Sequence, residues 1–494
     1  MDQTVKVAIV GAGTAGLSAL KVVQRQTDDF VLIDPGPLGT TCARVGCMPS
    51  KALIEAANEF HKRHFMPELG ISNARQLRIE SREVMKRVRL LRDRFVQSPV
   101  RAAKNLGQRY ISEQAVFEDT QTLRVGDRRI KADKIILATG ARPIIPEAWQ
   151  HFDERILTSE RLFELEKLPE SIAVVGLGGV GLELGLALSR LGVQVIGIEQ
   201  SDCLAGISDP DVSHWALESL SAEFPIYMGQ QPELDRDAGQ ISIQVGGERT
   251  RVGAVLAAMG RRPEVLDMNF AATGLPMDPQ GIPCFNPDTL QVADSGIFIA
   301  GDTSGGRAQM HESADEGRIA AYSALREHSN GVESGDGVKN RREGDRQDSG
   351  GLSRKNGVSV YQRRVPMSIV FTDPQIASFG ARYDELDLSQ TAIGSADFSF
   401  QNRALIMGVN QGVVKLYADR ESRKLLGGEM LVPKAEHFVF QLATCVHNGM
   451  TVDEIAHLPF YHPTMEEGLR SALYHLGEEL GGVLPEHFLP YKPC

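Results

Sequence analysis

The stretch VKVAIVGAGTAG, residues 5–16, combines a short apolar run with three glycines in the spacing Gly-x-Gly-x-x-Gly. The apolar run predicts a buried strand, and the residues that follow, Leu17 to Gln24, predict a helix. A second apolar run, Phe30 to Ile33, ends at Asp34. A strand, a glycine loop, a helix and a second strand that ends in an acid are typical of a domain that binds a dinucleotide.

The same order of elements recurs in the middle of the chain. Ile172 to Val175 leads into GLGGVG, a predicted helix follows to Leu191, and the next apolar run ends at Glu199. The spacing from first glycine to acid is the same in both copies, 11 to 34 and 176 to 199. Glycines let the backbone approach a pyrophosphate at a helix N-terminus, and the acid accepts from a ribose hydroxyl. The sequence therefore predicts two dinucleotide sites, one formed by Gly11, Gly13, Gly16 and Asp34 and the other by Gly176, Gly178, Gly181 and Glu199.

The acid of the second copy helps to identify its ligand. Glu199 stands where NADP would place a phosphate, and two unit charges about 4 Å apart repel by roughly 4 kcal/mol at an effective dielectric constant of about 20. No arginine lies between Glu199 and Pro210 to reverse this preference. The second site is therefore expected to bind NAD, and two dinucleotides on one chain suggest electron transfer between them.

A pair of cysteines follows the first copy in the stretch GTTCARVGCMPSK, residues 39–51. Pro49 suits the first turn of a helix that the pattern continues to Arg63, so Cys47 is expected near a helix N-terminus. The N–H groups and the helix dipole there stabilise a thiolate. They are therefore expected to lower the pKa of the Cys47 thiol below the reference value of about 8.5. Six cysteines in 494 residues are too sparse for a disulfide scaffold. Cys42 and Cys47 instead predict a redox-active or metal site, and zinc is disfavoured because no second close pair supplies further ligands.

Length, charge and hydropathy narrow the class of protein. A chain of 494 residues is expected to form two to four domains. Its net charge of −11 argues against nucleic acid as a partner, and it has no run of 18 uncharged apolar residues that would span a membrane. The first strand begins too close to Met1 to leave room for a signal peptide, so a cytoplasmic location is expected.

The segment from Cys42 to Lys51, placed after an N-terminal dinucleotide fingerprint, resembles the pyridine nucleotide–disulfide oxidoreductases of glutathione reductase type. The resemblance extends over nearly the whole chain. The other segments that carry it are Ile135–Pro143 with its Ala-Thr-Gly, Met259–Pro263, Ile297–Asp302 with its Ala-Gly-Asp, and His462–Glu467.

This resemblance implies an α/β fold with two Rossmann-like domains, for FAD and NAD, and a C-terminal α+β dimerisation domain. The segment from 326 to 361 is rich in Gly, Ser and charged residues, and such a composition cannot bury enough surface to offset its ordering entropy. It is therefore expected to be a disordered insertion. The expected boundaries are 1–146 and 276–325 for the two parts of the FAD domain, 147–275 for the NAD domain and 362–494 for the interface domain.

The resemblance also implies roles for the thiols and for a histidine. Cys42 would be the outer thiol that exchanges with substrate, and Cys47 would face the flavin. His462, oriented by Glu467, would act as acid and base for the disulfide of the other subunit of a homodimer. An imidazole suits this task because it can both accept and deliver a proton near neutral pH. Thr464 to Glu467 also has the pattern of a capping box, so Glu467 is expected to start a helix as well.

Further residues are implied at the two cofactors. Lys51 and Glu183 would pair beside the flavin N5 region, and no metal ligands are expected. The residues expected at FAD are Gly11, Gly13, Gly16, Asp34, Thr41, Lys51, Ala115, Thr139, Gly140 and Asp302. Those expected at NAD are Gly176, Gly178, Gly181, Glu199 and Gly260.

The expected reaction is the oxidation of dihydrolipoyl groups with NAD as acceptor, on a partner such as a 2-oxo acid dehydrogenase complex. Two alternatives stay open. One is NAD(P)H-driven reduction of another small disulfide or a metal ion, and the other is a catalytically silent subunit that binds such a complex. Thr40, Arg44 and Asp34 depart from the family's usual residues, and Arg44 in particular could change the substrate preference.

Overall fold

The computed structural model describes residues 2–237, 240–326, 352–355, 358–361 and 363–482. No helix in this part of the chain is long and apolar enough to cross a membrane. The chain divides into two compact units, each assembled from three segments. The first unit comprises Met1–Met48, Leu90–Pro143 and Arg261–Arg363, and the second comprises Pro49–Arg89, Ile144–Gly260 and Arg364–Cys494.

A seven-stranded sheet forms the centre of the first unit. Strand Gln3–Val10 is parallel to Phe30–Ile33 and to Arg128–Leu137. Val7 and Ile9 pack into one hydrophobic core and Ala8 and Val10 into another, so this strand is buried on both faces. In spatial order the strands are Tyr110–Ile111, Phe30–Ile33, Gln3–Val10, Arg128–Leu137, Thr122–Val125 and Ala115–Phe117, and Ile297–Ile299 also pairs with Arg128–Leu137.

The second unit repeats the parallel design in a five-stranded sheet. Strand Ser171–Val175 lies between Gln194–Ile198 and Ala254–Ala257, and helix Gly179–Arg190 follows it. The strands in spatial order are Ile226–Tyr227, Gln194–Ile198, Ser171–Val175, Ala254–Ala257 and Ile156–Leu157. A separate antiparallel sheet contains Glu233–Asp237, Gln240–Val245 and Glu248–Val252.

The C-terminal part of the second unit is a five-stranded antiparallel sheet covered by helices. Its strands in spatial order are Met367–Val370, Gln375–Gly380, Leu425–Val432, Val413–Asp419 and Thr391–Asp397. Apolar side chains of Ala435–His447 and Glu467–Glu479 share one core with the sheet. The α-helices in the described residues are Thr14–Val23, Thr41–Arg44, Cys47–His61, Ser81–Lys104, Ser159–Leu162, Gly179–Arg190, Pro210–Ser221, Met310–Leu325, Asn402–Met407, Ala435–His447, Val452–Ala456 and Glu467–Glu479.

The expected insertion from 326 to 361 differs in part from the structure. Leu352–Lys355 and Val358–Tyr361 pair as antiparallel strands, so the prediction of disorder is wrong for these residues. Val358, Val360 and Tyr361 favour an extended backbone. The prediction of disorder considered only the low apolar content of the whole segment and not the strand propensity of these residues. Residues 327–351 lie outside the described part of the chain.

The compact units combine segments from several of the expected domains, so the expected domain boundaries stay a prediction. The segment Ile144–Gly260, which contains the second fingerprint, belongs to the second unit together with Pro49–Arg89 and Arg364–Cys494. The next residues, Arg261–Pro263, pair antiparallel with Ala141–Pro143 inside the first unit.

Candidate active site

The first glycine loop is fixed by backbone hydrogen bonds at the carboxyl edge of its sheet. The Gly11 N–H donates to the Ile33 carbonyl at 2.8 Å. The Asp34 carboxylate accepts from the Ala12 N–H at 2.5 Å and from the Gly36 N–H at 2.7 Å. The acid that is expected at a ribose is therefore already oriented by the loop itself.

The second loop repeats these hydrogen bonds one for one. The Gly176 N–H donates to the Ile198 carbonyl at 2.9 Å. The Glu199 carboxylate accepts from the Leu177 N–H at 2.5 Å and from the Ser201 N–H at 2.9 Å. The internal repeat seen in the sequence is thus a repeat of local structure as well.

The three glycines of each loop have different structural roles. A Cβ atom at Gly176 would overlap with the Ala258 carbonyl, and one at Gly181 would overlap with the Gly176 carbonyl. A Cβ atom at Gly178 would meet nothing within 4 Å. In the first copy, a Cβ atom at Gly11 would overlap with the Ala138 carbonyl and one at Gly16 with the Gly11 carbonyl, whereas one at Gly13 would meet only the Ala138 carbonyl oxygen, at 4.0 Å. The outer glycines allow close packing, whereas the middle one leaves open space above a helix N-terminus, which fits a pyrophosphate.

The crossover segment after the first sheet meets the end of strand Ile297–Ile299. The Thr303 hydroxyl accepts from the Gly140 N–H at 2.7 Å and lies 3.4 Å from the Thr139 hydroxyl. The Ser313 hydroxyl donates to Asp302 at 3.1 Å. Thr139, Gly140 and Asp302 were each predicted to bind FAD, which stays a prediction. They form one cluster in the sense that Thr303, which bonds to the first two, directly follows Asp302 in the chain.

Several polar residues of this cluster were missed from the sequence. Thr303 and Ser313 bond to the predicted residues, and the buried Glu316 accepts from the Gly301 N–H at 2.8 Å. Arg363 donates to Glu316 at 2.9 Å. Thr303 could have been found as a neighbour of the Ala-Gly-Asp motif, but nothing in the local pattern marks the others.

The remaining predicted cofactor residues occupy varied positions. Ala115 is buried in the strand Ala115–Phe117, and its side chain belongs to the apolar core. Thr41 is the exposed first residue of helix Thr41–Arg44. Gly260 has a φ of +96°, and its carbonyl accepts from the Ile144 N–H at 3.1 Å.

The two predicted redox cysteines lie on consecutive helical segments. Cys42 is in the single turn Thr41–Arg44, and Cys47 is the first residue of Cys47–His61. A Cβ atom at Gly46 would lie 2.9 Å from the Thr41 carbonyl and 3.2 Å from the Cys42 Cα, so the chain folds back closely here. Thr40, which departs from the family pattern, caps the short helix because its hydroxyl accepts from the Ala43 N–H at 3.2 Å.

Lys51 and Glu183 form the expected ion pair within the second unit. The Lys51 ammonium lies 2.8 and 2.9 Å from the two carboxylate oxygens, and the Glu183 side chain is only 9% exposed. The Phe371 N–H donates to the same carboxylate at 3.0 Å, and the ammonium lies 4.4 Å from the centre of the Phe371 ring. These partners hold Lys51 in one position while part of its charge stays accessible.

Arg190 anchors the helix that carries Lys51. Its buried guanidinium donates to Glu223 at 2.6 Å, to Asp373 at 2.8 Å and to Asn58 at 2.7 Å. Burial, followed by the positive charge of Arg190, lowers the pKa of the neighbouring His61. This cluster was not predicted, because its members are far apart in the sequence and each type is common on a surface.

His462 is oriented by Glu467 as expected. The imidazole Nδ1 lies 3.0 Å from both carboxylate oxygens, and the His462 side chain is 68% exposed. A carboxylate can only accept, so Nδ1 carries the proton and Nε2 is the acceptor nitrogen of the neutral ring. Glu467 also accepts from the Thr464 N–H at 3.2 Å.

The capping box expected at this helix forms only in part. The Thr464 hydroxyl donates to the Tyr461 carbonyl at 2.8 Å instead of accepting from the helix. The helix begins at Glu467. Among the described residues, no group of three or more His, Cys, Asp and Glu side chains is placed to hold a metal ion.

Sequence comparison agrees with this arrangement. The profile of the pyridine nucleotide-disulphide oxidoreductases matches residues 5–317, and that of their dimerisation domain matches residues 366–473. The chain therefore belongs to the pyridine nucleotide-disulphide oxidoreductase family. FAD and NAD(H) are the cofactors of this family, and the two glycine loops fit one dinucleotide each.

Individual relatives cover almost the whole chain at low identity. The dihydrolipoyl dehydrogenase of Bacillus subtilis is 29% identical over 94% of this chain and 97% of its own length. A mercuric reductase of Bacillus cereus is 27% identical over 94% of this chain and 70% of its own.

Two solved structures show that the fold is shared. The HOCl-induced flavoprotein disulfide reductase RclA of Escherichia coli has a TM-score of 0.78 at 19% identity, covering 95% of this chain and 99% of its own. LpdA of Mycobacterium tuberculosis has a TM-score of 0.77 at 23% identity, with coverages of 96% and 100%. The architecture is accordingly α/β, with FAD and NAD domains and a C-terminal dimerisation domain.

Two alanine substitutions in the second loop are expected to separate folding from binding. Gly181→Ala should lower the free energy of unfolding by about 1–3 kcal/mol, because its methyl group has no room. Gly178→Ala should leave the melting temperature nearly unchanged and weaken NADH binding, because its methyl group enters the open space. Thermal unfolding and titration with NADH measure the two effects. Equal effects of both variants on stability would contradict this division.

Proposed function

We propose that this enzyme oxidises dihydrolipoyl groups and passes the electrons through Cys42 and Cys47 and FAD to NAD. The choice of this reaction rests on the position of Glu199. Its carboxylate is held at the second glycine loop by the Leu177 and Ser201 N–H groups, where it can accept from a ribose hydroxyl and repels a 2′-phosphate. A preference for NAD over NADP supports dithiol oxidation over NADPH-driven reduction. The similarity to dihydrolipoyl dehydrogenases points the same way.

The thiol chemistry is two successive exchanges. One thiolate of the substrate attacks the Cys42 sulfur of a Cys42–Cys47 disulfide, and Cys47 leaves as a thiolate. The second substrate thiol then attacks the sulfur bonded to Cys42 and closes the substrate disulfide. The substrate loses two electrons and two protons: the enzyme disulfide gains the two electrons, one proton reaches Cys42 and the other passes to solvent. Cys47, at the first residue of its helix, is well placed to leave because the N-terminal N–H groups stabilise a thiolate.

His462 manages the protons of these exchanges. Its Nε2 takes the proton from the attacking substrate thiol and returns a proton to Cys42 when that thiol is released. Glu467 holds the ring so that Nε2, rather than Nδ1, is the acceptor, and it stabilises the imidazolium that forms. We assign this histidine to the disulfide of the partner subunit in a homodimer, which the dimerisation domain supports.

A bound flavin would supply the two-electron chemistry that links the reduced cysteines to NAD. We assign the hydrogen-bonded cluster of Thr139, Gly140 and Asp302 to FAD, together with the first glycine loop and Asp34. Lys51, as the resemblance implies, would supply a fixed positive charge to the flavin. The Glu183 carboxylate fixes the direction of that ammonium.

A second candidate function is the reduction of another small disulfide or of a metal ion by NAD(P)H. The mercuric reductases among the relatives, at 26–27% identity, support it. Arg44, between the two cysteines, would suit an acidic disulfide better than the uncharged ring of lipoamide.

Steady-state assays on the flavin-loaded enzyme separate these functions. We expect NAD reduction with dihydrolipoamide, and slower NADPH oxidation than NADH oxidation in the reverse direction. Glutathione disulfide and Hg(II) serve as competing acceptors. Flavin reduction by NADH without lipoamide turnover would reject the lipoyl assignment and leave the disulfide chemistry standing. Absence of turnover with every acceptor would favour a silent binding subunit of a 2-oxo acid dehydrogenase complex.

A further inference from the structure

The loop from Glu199 to Asp209 connects the second glycine loop to the helix Pro210–Ser221, and we call it the ribose-acid loop. Two of its residues, Glu199 and Ala205, are hydrogen-bonded to Leu177 of the glycine loop. The Leu177 N–H donates to Glu199 at 2.5 Å, and the Ala205 N–H donates to the Leu177 carbonyl at 3.0 Å. The position of Glu199 therefore depends on the conformation of this loop.

The end of the ribose-acid loop is held by a buried carboxylate from the C-terminal sheet. Glu429, in strand Leu425–Val432, is 2% exposed. It accepts from the Ser208 N–H at 2.9 Å, from the Ser208 hydroxyl at 2.6 Å and from the Asp209 N–H at 2.7 Å. A buried carboxylate with three donors is fully engaged, and removing its charge would leave those donors poorly satisfied.

Two neighbours of Glu429 hold the same loop. The Tyr417 hydroxyl donates to Asp209 at 2.9 Å, and Arg382 donates to the Gly206 carbonyl at 2.6 Å. Burial, with the Asp209 and Glu429 carboxylates, raises the pKa of Tyr417, so its hydroxyl keeps the proton that it donates. The loop is thus held by three side chains that are distant from it in sequence, two from the sheet and Arg382 from the turn that follows strand Gln375–Gly380.

These contacts are not needed to cap the following helix. The other Asp209 oxygen already accepts from the Asp211 and Val212 N–H groups at 3.0 and 3.2 Å, which completes the N-cap. The three donors to Glu429 belong instead to the last two residues of the ribose-acid loop. The carboxylate therefore acts on the loop that carries Glu199.

We propose that Glu429 is a positioning residue for NAD, which holds the ribose-acid loop in the conformation that presents Glu199 to the adenosine ribose. The proposal rests on the ribose role of Glu199 given under Proposed function and is independent of the disulfide substrate. If a smaller fraction of the molecules holds the loop in this conformation, the apparent Kd for NAD rises in inverse proportion to that fraction.

The test is Glu429→Gln, which keeps the shape of the side chain and removes its charge. We expect the Kd for ADP-ribose, measured by calorimetry, to rise about tenfold. This factor corresponds to a variant in which about one molecule in ten holds the loop in the binding conformation. The KM for NADH should rise by a similar factor with kcat retained. Flavin reduction by reduced nicotinamide mononucleotide, which lacks the adenosine ribose, should be unchanged. Hydrogen exchange at the Ala205 and Ile207 amides should become faster.

Matched variants keep the test decisive. Tyr417→Phe removes the hydroxyl that donates to Asp209 and should also weaken ADP-ribose binding. Tyr383→Phe removes a hydroxyl from a ring whose centre lies 6.2 Å from that of Tyr417, and it should leave ADP-ribose binding unchanged. If Glu429→Gln fails to fold, Ser208→Ala removes one donor to the same carboxylate and should raise the Kd about threefold.

Glu199→Ala distinguishes failure of the proposal from failure of its basis. If Glu199→Ala weakens ADP-ribose binding and Glu429→Gln does not, the positioning role is overturned and the ribose role stands. If Glu199→Ala has no effect, the ribose role fails, and the positioning role fails with it. Equal losses with NADH and with reduced nicotinamide mononucleotide in Glu429→Gln would show a general structural role and would also overturn the proposal.

Discussion

Cys42→Ser is expected to lower the rate of dithiol oxidation by a factor on the order of 10⁴ or more, because serine cannot form the disulfide that accepts the electrons. Reduction of the flavin by NADH should continue, since Cys42 takes part only in exchange with the substrate. Stopped-flow absorbance of the flavin, with dihydrolipoamide or NADH as reductant, measures the two half-reactions separately.

Cys284→Ser provides the control for this variant, because Cys284 is an exposed cysteine outside the proposed machinery. Its dithiol oxidation should match that of the unmodified enzyme. Unchanged kcat in Cys42→Ser would refute the exchange role of Cys42. Loss of both half-reactions in that variant would indicate instead that the substitution disturbs the flavin site. The chain around Cys42 is closely packed, because Thr40 bonds to the Ala43 N–H and Gly46 leaves no room for a Cβ atom.

His462→Gln is expected to slow dithiol oxidation by roughly 10²–10⁴-fold, the usual contribution of a positioned acid and base. NADH-driven flavin reduction should be unaffected. Glu467→Gln should give a smaller loss, since an amide can still accept from Nδ1 but stabilises an imidazolium less. If His462→Gln retained full dithiol oxidation, another group or water would have to carry the proton.

Mixing two inactive variants tests whether His462 serves the partner subunit. Cys42→Ser and His462→Gln subunits, unfolded and refolded together, should form heterodimers with one intact site. With random pairing in a two-fold dimer, about one quarter of the activity should return. If His462 served its own chain, every site in the mixture would lack one group and no activity would return.

The local parts of this structure were predictable from sequence because their determinants are local. Glycine spacing and a terminal acid define the two loops, and the structure repeats their hydrogen bonds at Ala12 and Leu177. The expected pairs of Lys51 with Glu183 and of His462 with Glu467 are present. The first of these joins residues far apart in the chain, and it came from resemblance to a family rather than from pattern.

The parts that were missed depend on tertiary packing. Strands Gln375–Gly380 and Thr391–Asp397 contain small and polar residues in place of a continuous β-branched run, so their neighbours in the sheet decide their conformation. Glu429 lies in strand Leu425–Val432, and its partner Ser208 is 221 residues away in the chain. No local pattern shows that a charged residue in a strand has a specific buried partner.

The hydrogen bonds of Glu199 have a consequence for engineering. Its carboxylate is an acceptor for the Leu177 N–H, the Ser201 N–H and the Ser201 hydroxyl, the last at 3.0 Å. A single exchange of Glu199 for a basic residue would remove the repulsion of a 2′-phosphate and at the same time leave the Leu177 and Ser201 N–H groups without their acceptor, whereas the Ser201 hydroxyl also donates to the Cys203 carbonyl at 2.9 Å. Conversion of this chain to NADP would therefore require a second change that supplies those donors with a new acceptor.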